Sequence, residues 1–130
     1  MKKAASVVLF AISIWSSAAW TQGSTDKVSL QIFVDQHIES LMVNGRIMFI
    51  DFDNLKSVSS VPVDNHPLMF RGDGFYVACI TLLDEEGKEY PVDLYIYEHD
   101  GKLTVSDITF GEAGREDFRR LAKSGAVEKL

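Results

Sequence analysis

At Asn44-Gly45 the spacing of apolar residues changes from steps of three and four to steps of two, which restricts the fold to a helix followed by a sheet. Upstream, Leu30, Phe33, Val34, His37, Ile38 and Leu41 fall on one stripe and predict a helix from Asp26 to about Val43. Ser24, Thr25 or Asp26 can cap its start. Asn44 and Gly45 both accept left-handed backbone, so they are expected to end it.

Downstream the chain reads as strands. Arg46 to Phe52 and Leu55 to Val63 are extended, and Pro62 and Pro67 bracket Asp64-Asn65-His66 as a loop or edge connection. Phe75 to Leu83 is apolar on both faces and is expected to lie centrally. The turn Asp84-Glu85-Glu86-Gly87 leads into Glu89–Glu98, where Val92, Leu94 and Ile96 alternate with Asp93, Tyr95 and Tyr97. Asp100-Gly101 is a hairpin signal joining that strand to Leu103–Phe110. A second, shorter helix is expected over Glu112–Lys123, with an acidic start, a basic end and a small apolar face of Phe118, Leu121 and Ala122. Gly125 is its expected C-cap.

The expected fold class is therefore α+β: an N-terminal helix packed on a curved antiparallel sheet of about four or five strands, with a short C-terminal helix. The outline resembles cystatin-like and nuclear-transport-factor-like cones in shape only. No motif of either family is present, so the likeness implies no function.

The first nineteen residues fix the expected compartment. Met1-Lys2-Lys3 is a positive start, Ala4 to Trp15 is an apolar run, and Ser17-Ala18-Ala19 offers small residues for cleavage. Residues 1–19 thus read as a secretory signal peptide, and residues 20–130 as a single α+β domain. A membrane-spanning helix needs about 20 apolar residues. This run is shorter and breaks at Ser16-Ser17, and no cysteine follows it to carry a lipid, so no stable membrane insertion is expected after cleavage. Cys79 is the only cysteine, which excludes an intramolecular disulfide and suits a bacterial periplasm or culture medium. Its apolar surroundings predict a buried, inert thiol. A formal net charge of −6 opposes binding to phosphate backbones or anionic lipid, so no nucleic-acid partner is expected.

Candidate chemistry is sparse. His37, His66 and His99 each stand near a carboxylate, but no spacing matches a metal motif, and neither a metal nor another cofactor is expected. No serine lies in a nucleophile elbow, and Gly72-Asp73-Gly74 reads as a turn. His37 lies on the helix's apolar stripe and could pair with Asp51, Asp53 or Asp93 as an acid–base couple in an interior pocket. Tyr95 and Tyr97 point away from Leu94 and Ile96, and together with Tyr76 they suggest an aromatic recognition face. The expected function is that of an exported, non-enzymatic binding protein using a sheet face or helix–sheet cleft. The alternative is a small cone-shaped enzyme built on the His37 couple. The partner would be a protein or a small molecule, and a homodimer is compatible with either.

Overall fold

The computed structural model describes residues 25–63 and 67–130. Among these residues the fold is α+β, with two helices and a curled antiparallel sheet of eight strands. Helix α1 (Lys27–Leu41) comes first, followed by β1 (Met42–Val43), β2 (Arg46–Asp51), β3 (Lys56–Pro62), β4 (Leu68–Arg71), β5 (Phe75–Asp84), β6 (Glu89–His99) and β7 (Lys102–Phe110). Helix α2 (Glu112–Ser124) and β8 (Glu128–Lys129) complete the order.

The strand count exceeds the expected four or five for two reasons. Two strands, β1 and β8, are only two residues long and carry no readable alternation. The third addition is a split. β3 and β4 both pair antiparallel with the same edge of β5, but the ladder is interrupted between the Pro62–Leu82 and Leu68–Cys79 pairs. Pro62 and Pro67, which lack main-chain donors, flank that interruption. The segment Asp64-Asn65-His66 lies outside the described residues.

Asp26 caps α1, its carboxylate accepting the Ser29 N–H at 2.7 Å. The helix ends two residues earlier than expected, because Asn44-Gly45 serves a different element. With φ of 53° and 76°, these residues form a two-residue hairpin turn that folds β1 back on β2. The expected stripe does face the sheet. Leu30, Val34 and Ile38 are buried, while Phe33, His37 and Leu41 are half-buried at its margin. They pack on Tyr76, Ala78, Ile80 and Leu82 of β5 and on Val92, Leu94 and Ile96 of β6.

The opposite face of β5 and β6 is covered by α2. Phe118 and Leu121 sit on Val77 and Cys79, with Phe118 and Phe70 ring centroids 4.7 Å apart. Arg115 reaches through to Asp93, which is only 1% exposed, and its Nε sits 3.0 and 2.9 Å from the two carboxylate oxygens. Gly114 allows the close approach of the helix, since a Cβ there would stand 2.4 Å from Cβ of Thr109 on β7. Both faces of the central strand are therefore covered, which accounts for its apolar character throughout.

A β-bulge sets the curl. The β6–β7 register shifts between Tyr95 and Ile96, leaving Ser106 as the extra residue. The shift changes the parity of β7, so Leu103 and Val105 before it and Ile108 and Phe110 after it all meet the same core. The curl brings Phe110 of β7 onto Phe49 of β2, their stacked rings 4.7 Å apart although the strands are far from adjacent in the sheet.

Candidate functional site

Where the curled sheet comes round on itself, the ends of β2 and β7 do not pair, and a cleft of about 370 Å³ opens between them. Its floor is aromatic: Phe49 stacks on Phe110 and meets Tyr90 edge-on at 5.0 Å. One wall is the end of β2 and its turn, from Ile50 to Asp53; the other is the entry to α2 at Gly111, Glu112 and Ala113. Lys88 and Glu89 close the end at the start of β6. A volume in this range suits a small ligand or a few side chains.

Asp51 organises the polar corner. Its carboxylate is buried at the end of β2 and accepts the main-chain N–H of Asp53 at 3.0 Å and of Asn54 at 3.2 Å. It also accepts Asn54 Nδ2 at 2.8 Å and the Tyr90 hydroxyl at 3.3 Å, with Lys88 Nζ 3.8 Å away. These donors, the Asn54 amide foremost, hold its pKa below the ordinary carboxylate value, so it stays ionised at neutral pH. They also shape the turn, in which Leu55 is held at a φ of 52°. Lys88 Nζ lies 4.6 Å from the Tyr90 ring centroid as a cation over an aromatic face. The rim carries Asp53, Glu89 and Glu112 in addition to Asp51, against the single cation Lys88, so the cleft has a negative potential.

His37 and the three aspartates do not converge. His37 stands in α1 beside Phe33, with ring centroids 6.4 Å apart, and its buried Nε2 has no hydrogen-bond partner among the described residues. Asp51 is engaged in its turn, Asp53 is exposed on the cleft rim, and Asp93 lies on the opposite face of the sheet under Arg115. Only Asp51 and Asp53 share a site.

The tyrosines separate as well. Tyr76 is buried on the α1 face, where its hydroxyl donates to Glu98 at 2.8 Å and accepts from the Thr25 N–H at 3.1 Å. Tyr95 faces outward as expected but is covered by α2; burial, then the charge of Asp93, pushes its hydroxyl pKa up to about 12. Tyr97 alone is exposed. The sequence signal for this cover is Val77, which is apolar, stands directly across from Tyr95 and requires a cover on that face.

The other described candidates stand apart from the cleft. Cys79 is buried, and burial followed by the neighbouring Asp93 carboxylate pushes its thiol pKa far up. His99 and Asp100 form an exposed pair at 3.3 Å, while His66 lies outside the described residues. No group of His, Cys, Asp or Glu is placed to hold a metal ion among the described residues. No described helix is long and apolar enough to cross a membrane.

Fold and cleft together define a small α+β protein with an acidic, aromatic-floored opening at the seam of a curled sheet. Comparison of the chain with protein-family models, with curated proteins and with solved structures finds no match.

Proposed function

We propose that this chain is an exported, non-enzymatic binding protein, periplasmic or secreted, whose ligand occupies the seam cleft. The leader-like residues 1–19 support export. The cleft itself carries the binding reading, because it combines an aromatic floor with an acidic corner whose geometry is fixed in advance. Asp51 already accepts four hydrogen bonds, so it acts as a placed charge rather than as a free base. The ligand class this favours is an apolar group bearing a cation, or a side chain of that kind on a partner protein.

The test is amide NMR on the processed protein, titrated with phenethylamine and, separately, with 3-phenylpropionate. The amine is expected to perturb Phe52, Asp53, Lys88, Tyr90, Gly111 and Glu112, and the carboxylate to leave them unmoved. Equal responses to both, or amine shifts confined to other surfaces, would overturn the assignment.

A further inference from the structure

The strand that forms one wall of the cleft has an unpaired edge. β1 covers β2 only at Arg46 and Ile47, because the chain leaves α1 with just two residues before the Asn44-Gly45 turn. In a two-residue hairpin the closing pair, here Val43 and Arg46, exchanges both main-chain hydrogen bonds. The alternation then directs the main-chain groups of Met48 and Ile50 away from β3 and toward the open side. No strand pairs with them there among the described residues.

The side chains at this edge are equally uncovered. Met48 and Ile50 are about half exposed, Phe52 is 79% exposed and Leu55 84% exposed. Soluble proteins ordinarily guard such an edge with lysine, proline or a bulge. From Met48 to Phe52 this strand has none of them, and its one charged residue, Asp51, is buried and engaged by its own turn. Ile50 and Phe52 line the same cleft as Asp53, Glu89 and Glu112, so the apolar edge and the acidic rim border one opening.

We propose that the β2 edge captures an extended, basic segment of another protein by strand addition. Its main chain pairs with Met48 and Ile50, its apolar side chains cover Ile50 and Phe52, and its Lys or Arg side chains meet Asp53, Glu89 and Glu112. The assignment rests on the binding reading above and gives it a partner class. A second copy of this chain fits less well, since its own net charge of −6 would be brought against an acidic rim.

The experiment uses the 15N-labelled processed protein and the peptide acetyl-Lys-Val-Lys-Val-Lys-amide. Controls are its Glu counterpart and a version N-methylated at alternate amides. The Lys peptide is expected to shift the Met48 and Ile50 amides and slow their hydrogen exchange, binding roughly tenfold more tightly than either control at low salt. Ile50→Pro removes an outward donor that β3 does not use, and it should weaken the Lys peptide by a similar factor while the spectrum stays folded. Should that variant unfold, Ile50→Lys leaves the backbone intact and should also weaken the Lys peptide.

Equal binding of the N-methylated peptide would overturn strand addition. So would concentration-dependent self-association mapped to Met48 and Ile50, which would assign the edge to a second copy. Phenethylamine shifts in the cleft without any peptide response at β2 would remove this proposal and leave the cleft assignment standing; silence from both probes would remove both.

Discussion

Removing the guanidinium of Arg115 should unfold the protein much more easily than its place on a helix with no fully buried residue suggests. Arg115 is the only described cation within hydrogen-bond distance of Asp93, whose side chain is 1% exposed while that of Arg115 is 22% exposed. Arg115→Met keeps most of the aliphatic stem but leaves an uncompensated carboxylate beneath α2. Breaking a buried pair from one side costs about 3–5 kcal/mol, and the partial exposure of Arg115 favours the lower end, about 3 kcal/mol. In a protein of this size that corresponds to a fall in Tm of roughly 12 °C or more. Asp93→Leu alone should cost less, because Arg115 already reaches solvent. The double variant Asp93→Leu/Arg115→Met should return to within about 1 kcal/mol of the parent, since an apolar pair of similar volume replaces the ion pair. Urea denaturation followed by circular dichroism measures all four corners of the cycle, with similar slopes required for the comparison. An Arg115→Met variant within about 0.5 kcal/mol of the parent would refute the view that this pair fastens α2 to the sheet.

Three further outcomes follow from particular contacts. Gly114→Ala places a Cβ 2.4 Å from Thr109 and should destabilise by about 1–2 kcal/mol in a thermal melt, despite alanine's better helix propensity; a rise in Tm would contradict it. The folded-state pKa of Asp51 lies below its unfolded value, so its stabilisation is complete above the unfolded value and is lost as pH falls through the folded one. The urea midpoint should therefore drop below about pH 4 and do so less steeply in Asp51→Asn, whereas parallel pH profiles would count against the role given to this carboxylate. Cys79 should stay unlabelled by a thiol reagent at pH 8 until urea is added, and rapid native labelling would show that α2 does not cover it.

What could be read from the sequence was local. The α1 stripe, the Asp26 cap, the Asp100-Gly101 hairpin and the Gly125 cap each depend on residues a few positions apart, and each recurs in the structure. Asn44-Gly45 was read correctly for its backbone and assigned to the wrong element, because a left-handed pair serves a helix end and a hairpin equally well. The two-residue strands are not legible because alternation needs more residues to appear. The covering of Tyr95 is not legible in its own strand, because the landing place of α2 is a tertiary fact written in Val77 and Cys79. The cleft was the least legible feature. Asp51 and Asp53 stand out in the sequence as carboxylates, but their neighbours Tyr90, Phe110 and Glu112 join them only when the bulged sheet curls.

The central claim is that the seam between β2 and β7 is the binding site. Ala113 lines that cleft from the exposed first turn of α2, where a larger side chain disturbs no core contact. The most direct measurement is the Kd of phenethylamine for the processed protein and for Ala113→Trp, read from the same amide shifts. Binding should weaken by roughly tenfold or more with the urea midpoint unchanged, because the indole fills the opening. An unchanged Kd in a folded Ala113→Trp variant would place the ligand elsewhere and contradict the account.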